Sequence, residues 1–290
     1  MEDDKVKKVT FFSKKAIACP VCGTSFFKEE LFSGGGRLMA GALTDDLRRL
    51  YEPSKKYGEL FPLIYFVLVC PNCLFAAFPA DFLQGDYKKI QNVLDAENIK
   101  RKESTALLFK ELNYFEPRRL AEGVASYMLA VMCYDHFDKK ASPTIKQGVC
   151  CLRNAWLLSD LHRKSPGENW DYLSRIFYRK ASFFYNQALE KEQTGAELLS
   201  GIKNLGPDLD KNYGYEGLLY LAGHLVFNYG SKKDIKNRLD KLGKIKRYIS
   251  KMHGIGKASK DKPSVIINKA KDLYDAIGNE IQELSKELVE

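Results

Sequence analysis

The chain is poor in the residues that most catalytic mechanisms lean on. It has four histidines and two tryptophans in 290 residues. The histidines, His136, His162, His224 and His253, are scattered. None stands in an H-E-x-x-H or H-x-E context, so zinc-hydrolase and deaminase chemistry lack their general base. A phosphate-binding loop is missing as well. Gly254-Ile255-Gly256-Lys257-Ala258-Ser259 puts Lys251 where the Walker pattern needs Gly, and Ala258 where it needs Ser or Thr. That segment reads as a mobile basic linker before a last helix. Long apolar runs are also lacking. The longest, about Leu60 to Cys70, falls well short of the roughly 20 residues a membrane helix requires. The first residues, Met1-Glu2-Asp3-Asp4-Lys5, are charged and do not form the apolar stretch of a signal peptide. Cytoplasm is the expected location, and a non-enzymatic role the expected kind of work.

Cysteine is present and patterned. Two C-P-x-C knuckles, Cys19-Pro20-Val21-Cys22 and Cys70-Pro71-Asn72-Cys73, supply four thiolates. An x₂ spacing lets one tight turn present two sulfurs to one metal, and four sulfurs complete a tetrahedron. Such a site leaves no open position to activate water, so one structural Zn²⁺ is the expected cofactor, with Cys19, Cys22, Cys70 and Cys73 as ligands. Lys14, Lys15 and Lys28 stand nearby in sequence to offset the negative centre. Thiol exchange is the rival use of a C-x-x-C pair, and iron–sulfur ligation needs the same four residues. Residue type alone does not separate zinc from iron. Cys133, Cys150 and Cys151 fall on apolar helical faces and read as small buried hydrophobes.

The pattern along the chain divides in two. Residues 1–85 read as a small β-containing, zinc-ribbon-like module. The β-rich run Leu63–Val69 feeds the second knuckle, and the 47 residues between Cys22 and Cys70 hold an excursion with Gly34-Gly35-Gly36. A short helix is expected around Thr44–Tyr51, with Thr44 and Asp45 as caps. From about Tyr87 apolar residues recur at helical spacing, as in Leu120, Val124, Tyr127, Val131 and Tyr134. Breaks fall at Ser142-Pro143, Ser165-Pro166-Gly167, Gly206-Pro207, Gly230 and Lys262-Pro263. Residues 86–290 thus read as α-helical hairpins ending in a capping helix. Leu219-x₂-Ala222-Gly223-x₂-Val226 and Ala181-x₃-Tyr185-x₂-Ala188 carry degenerate traces of a tetratricopeptide repeat. The fold class expected is mainly α, and stacked hairpins favour protein partners on a concave face.

Charge is concentrated. From Ser231 to Asp272 there are 14 Lys or Arg against 4 Asp or Glu, so that segment accounts for the whole +9 of the chain. Lys232, Lys233, Lys236, Arg238, Lys241, Lys244, Lys246, Arg247 and Lys251 could line one helix face, with Lys241, Lys244 and Arg247 as candidate partner contacts. A solvated face is the bland reading; an acidic protein or an anionic membrane surface is the next, and nucleic acid the third. Oligomeric state is not legible.

The knuckles in their surroundings bring a family into view. Cys19-Pro-Val-Cys22-Gly23-Thr24-Ser25-Phe26, together with Val69-Cys70-Pro-Asn-Cys73-Leu74-Phe75-Ala76-Ala77-Phe78-Pro79-Ala80-Asp81-Phe82, resembles the bacterial family known as domain of unknown function 2225. The resemblance implies a metal-binding module followed by tetratricopeptide-like helices, and no established activity. Gly commonly follows the second Cys of such a knuckle. Gly23 does so, but Leu74 takes the second place. A left-handed residue there costs a non-Gly side chain about 1 kcal/mol, so the second turn is expected to differ in shape. The combined expectation is a zinc-binding interaction or scaffold protein. A nucleic-acid-binding protein using the ribbon and the 231–272 segment is the first alternative, a thiol-redox factor the second.

Overall fold

The computed structural model describes residues 8–32, 34–199, 202, 205–254 and 264–288. Among these, the strands form three separate two-stranded antiparallel sheets: β1 (Thr10–Ala18) with β2 (Ser25–Leu31), β3 (Met39–Leu43) with β4 (Arg49–Glu52), and β5 (Leu68–Val69) with β6 (Ala76–Ala77). Ala18 pairs with Ser25, and Val69 with Ala76. Each knuckle therefore occupies the tip of a hairpin. The run expected as a strand, Leu63–Val69, is mostly something else: Pro62–Tyr65 makes a 3₁₀ turn and only Leu68–Val69 is extended. Pro62 at the first position, with its fixed φ, starts that turn where apolar β-branched content alone suggests a strand.

The expected helix around Thr44–Tyr51 is absent; the segment is the tip and second strand of the β3–β4 hairpin. Thr44 N–H donates to the Arg48 carbonyl at 2.9 Å, and Arg48 N–H donates to Thr44 Oγ1 at 2.9 Å. The residues expected to cap a helix thus satisfy a turn instead, as Ser, Thr, Asn and Asp readily do. Leu47 stands at φ 63°, and it is wholly buried, so tertiary packing holds the turn in its left-handed conformation.

Helices begin with α1 (Pro79–Gln84), α2 (Gln91–Ala96) and α3 (Asn98–Ala106). Then come α4 (Leu120–Tyr134), α5 (Pro143–Lys164), α6 (Trp170–Thr194), α7 (Gly214–Tyr229), α8 (Ile235–Gly254) and α9 (Ser264–Glu287). Four of the five expected breaks separate these helices; Lys262-Pro263 lies outside the described residues. The fold is mainly α, as the periodicity requires. Successive helices from α4 to α9 pack on one another, and α9 also returns to α7. Their lengths range from 15 to 25 residues, so they do not mark out one repeated unit. α4 is apolar nearly all round because α5 covers one side, while β6 and the 3₁₀ turn cover the other. Gly123 makes that approach feasible: a Cβ there would meet Ile64 Cγ2 at 2.4 Å.

One apolar cluster runs from Cys19 to Ile277, and the β3–β4 tip is a second clasp between strands and helices. Asp46 accepts hydrogen bonds from Trp156 Nε1 and from Tyr178 Oη at 2.8 Å. Arg48 pairs with Asp160, Arg49 Nε with Asp210 at 2.9 Å, and Tyr220 donates to the Asp45 carbonyl at 2.7 Å. Asp46→Ala would strand the buried Trp156 indole N–H and remove an acceptor from the half-buried Tyr178 hydroxyl. Its expected cost is about 3 kcal/mol, since each unsatisfied buried donor costs about 1–3 kcal/mol. Asp46→Asn, which retains an acceptor, should lose less in urea unfolding; equal losses for both would mean the hydrogen bonds contribute little.

Candidate metal centre

The two knuckles, 47 residues apart in sequence, face each other. Sγ of Cys19 lies 3.7 Å from Sγ of Cys73, and Sγ of Cys22 lies 3.6 Å from Sγ of Cys70. All four sulfurs fall within 4.8 Å of one another. A disulfide needs about 2.05 Å, so these thiols are not bonded to each other. Metal–thiolate bonds of about 2.3 Å arranged tetrahedrally place the sulfurs about 3.8 Å apart. The cysteine cluster has the composition and spacing to hold one metal ion.

Local chemistry builds both knuckles alike. Cys19 N–H donates to the Thr24 carbonyl and Gly23 N–H to the Cys19 carbonyl, each at 2.9 Å. Cys70 N–H donates to the Phe75 carbonyl at 2.9 Å, and Leu74 N–H to the Cys70 carbonyl at 3.0 Å. Gly23 has φ 74° and Leu74 φ 56°. The expected difference in shape does not occur: Leu74 adopts the left-handed conformation its Gly counterpart takes freely. Burying a Leu side chain contributes about 1.5–3 kcal/mol, more than the strain of about 1 kcal/mol, and Leu74 is buried against the core.

The surroundings favour negative charge on sulfur. Val21 N–H points at Cys19 Sγ at 3.4 Å. Thr24 Oγ1 lies 3.3 Å from Cys22 Sγ, and Asn72 Nδ2 of the other knuckle donates to Thr24 Oγ1 at 3.1 Å. Hydrogen bonding among the sulfurs splits their acidities. Cys70 is drawn down to about 2, chiefly by Cys19; Cys19 is pushed up to about 12, chiefly by Cys70. Cys73 is pushed up as well, first by Cys19. The Cys70 thiolate thus accepts hydrogen bonds from neighbouring thiols that keep their protons, and a cation between the sulfurs would favour ionisation of all four. Cys19, Cys70 and Cys73 are buried, and Cys22 is half-buried.

Residues that the sequence reading passed over complete the site. Gln91 Nε2, just at the start of α2, donates to the Val21 carbonyl of the first knuckle at 3.0 Å. Arg101 on α3 donates from Nε and Nη2 to the Cys73 carbonyl of the second, at 3.1 and 2.9 Å. Arg101 is 1% exposed, its Nη1 has no hydrogen-bond partner, and no carboxylate pairs with it among the described residues. A guanidinium buried without an opposing charge is costly. Four thiolates around a divalent ion would carry a net −2 and so would offer an opposing charge. Of the three lysines expected in this role, Lys14 and Lys15 are exposed, and Lys28 pairs with Glu30 at 2.9 Å.

Other candidates lie apart. Cys133, Cys150 and Cys151 are buried in α4 and α5 outside the cluster, and burial pushes Cys133 up to about 11 and Cys151 up to about 12. His136 Nε2 meets Glu97 at 2.9 Å. On α8, Lys241 and Arg247 are exposed, while Lys244 pairs with Glu190 of α6. Arg238 does not belong to an exposed basic face. It is buried, donates to the Val226 and Phe227 carbonyls, and pairs with Glu280 of α9. The glycine-containing segment at 255–259 lies outside the described residues. No helix among the described residues is long and apolar enough to cross a membrane.

Hairpin-borne cysteine knuckles packed against a body of long helices define a mainly α protein with a cysteine cluster able to take a metal. The chain belongs to the family described as "Uncharacterized protein conserved in bacteria (DUF2225)", whose model matches residues 12–277. A Borreliella burgdorferi relative, described as "Uncharacterized protein", is 42% identical over 279 residues, spanning 96% of this chain and 100% of that protein. The kinship signalled by the knuckles therefore extends through nearly all the helices. No solved structure matches the chain.

Proposed function

We propose that the cluster is a structural Zn²⁺ site and that the protein works by presenting its helices to other proteins, without catalysing a reaction. The observation that carries this reading is the enclosed set of four sulfurs beside the uncompensated Arg101. With all donors supplied by the chain, no coordination position remains for water or substrate, which suits a structural ion. The metal would join the β1–β2 and β5–β6 hairpins, and through Gln91 and Arg101 it would also set α2 and α3. Metal binding then supplies folding free energy to strands too short to make a core alone. The helical body, freed from chemistry, offers the surface for assembly.

The test is elemental analysis of the purified protein, paired with thiol titration. One zinc per chain, with the knuckle thiols unreactive until a chelator is added, is the expected result. Iron in place of zinc, or a knuckle pair that stays reactive in zinc-loaded protein, would overturn the structural-zinc reading. The latter outcome would restore thiol exchange.

A further inference from the structure

Alternate helices α4 and α6 stand either side of α5 and enclose an open cleft of about 760 Å³. Val131 and Met132 of α4 form one wall, and Gln147 of α5 lies on the floor. The α6 wall is Ile176, Arg179, Lys180, Phe183 and Phe184. Those five positions follow i, i+3, i+4, i+7 and i+8, a single stripe roughly 12 Å long at about 1.5 Å per residue. They form a second stripe on α6, beside the one that buries Phe177, Ala181, Tyr185 and Ala188 in the core. Phe183 packs edge-on against Phe184, with ring centroids 5.3 Å apart, and remains 59% exposed at the cleft.

The charges in the cleft are unequal in what they already hold. Glu97 is engaged by both His136 and Lys100, at 2.9 and 3.1 Å. Asp135 accepts from Gln147 Nε2 at 2.7 Å. Arg179 and Lys180 are exposed and have no carboxylate partner among the described residues. Glu97 is thus neutralised within the cleft while Asp135 keeps its charge, and on the α6 wall Lys180 lies over the Phe177 ring at 5.2 Å, which leaves both it and Arg179 without an anionic partner among the described residues.

We infer that this cleft docks an acidic amphipathic helix from a protein partner. The partner's apolar anchors, one turn apart, meet Met132, Ile176 and Phe183, and its flanking carboxylates meet Arg179 and Lys180. Helix-in-groove recognition uses this i, i+3, i+4, i+7 reading. A nucleic acid fits poorly, because Arg179 and Lys180 neutralise few phosphates and the carboxylates of Glu97 and Asp135 line the same cleft. The inference rests on the helical-interaction reading and places the surface on α4–α6, away from Lys241, Lys244 and Arg247 on α8.

The experiment uses the full chain and a fluorescent synthetic peptide of about twelve residues, a little over three helical turns. It carries Leu or Phe at every third or fourth position and Glu between. A scrambled peptide and one with Lys for Glu serve as comparisons. The variants are Arg179→Glu with Lys180→Glu, Phe183→Ala, and Lys241→Glu with Lys244→Glu and Arg247→Glu, each checked for unchanged far-UV circular dichroism. Saturable binding is expected, weakened about tenfold or more by the two α6 variants and unchanged by the α8 variant. The scrambled and Lys peptides should bind at least about tenfold more weakly. Binding that ignores the α6 variants, or follows the α8 variant, would overturn the cleft as the site and leave the interaction reading standing. No binding to any form would overturn both. A homodimer seen by light scattering and lost in Phe183→Ala would make the occupant a second copy of this chain and overturn the partner assignment.

Discussion

Cys70→Ser should release the metal and collapse the strand-bearing end of the molecule. A serine hydroxyl replaces one of four thiolates, and losses from substitutions merely adjacent to a metal site already reach about 10–100-fold in affinity. Losing the ligand itself should cost more. Structural zinc in small zinc-finger peptides carries about 10–16 kcal/mol of apparent binding free energy, as much as the whole stability of an ordinary domain. The loss should spread along the contacts that lead from Cys70. Phe75, Ala76 and Ala77 are fully buried, Ala76 N–H meets Cys133 Sγ at 3.4 Å, and Phe78 N–H donates to Tyr134 Oη at 3.0 Å. Hydrogen exchange is expected to quicken through β1–β2, β5–β6, α2 and α3 and to weaken α4, while α7 to α9 remain protected. A chelator acting on the unsubstituted chain should reproduce that map. A Cys70→Ser chain retaining one zinc and the parent stability would remove the structural role from the cluster.

Arg101→Met should have opposite consequences with and without metal. In the loaded protein the guanidinium faces a net −2 centre and holds the Cys73 carbonyl. Removing one partner from a buried charge interaction typically costs about 3–5 kcal/mol. Metal affinity, measured by chelator competition, should fall about 10–100-fold. Without metal, the same substitution deletes a buried cation whose counter-charge has gone, and the stability loss should shrink or reverse. Arg101→Lys, which retains charge but loses the planar fork, should preserve more of the affinity than Met does. Equal destabilisation of the two states by Arg101→Met would mean that Arg101 serves packing and the Cys73 carbonyl alone, with no electrostatic coupling to the ion.

Some of this was open to inspection in the sequence. The cysteine spacing marked all four residues of the cluster, because two ligands per tight turn is a local property. Helix periodicity and the Pro and Gly breaks marked α4 to α7 for the same reason. The Thr44–Tyr51 segment misled because its capping residues suit a turn as well as a helix, and the choice came from Leu47 finding burial in the core and Asp46 finding partners on α5 and α6. Leu74 misled in the opposite sense: local strain argued against a left-handed residue, and burial outweighed it. Arg238 looked like one cation in a basic face, since sequence records charge without saying which side of α8 turns inward. Arg101 carried no signal at all, standing among Lys100, Lys102 and Glu103 in an otherwise polar stretch.

By itself, then, the sequence determined the mainly α class, the kinship carried by the knuckles, and the four sulfurs, all of which depend on neighbours close along the chain. Only the tertiary structure decided that the knuckles face each other across 47 residues, that Arg101 is buried against one of them, and that α6 turns a second, cationic stripe outward. Those outcomes depend on which distant surfaces exclude water together, and a linear pattern does not state that.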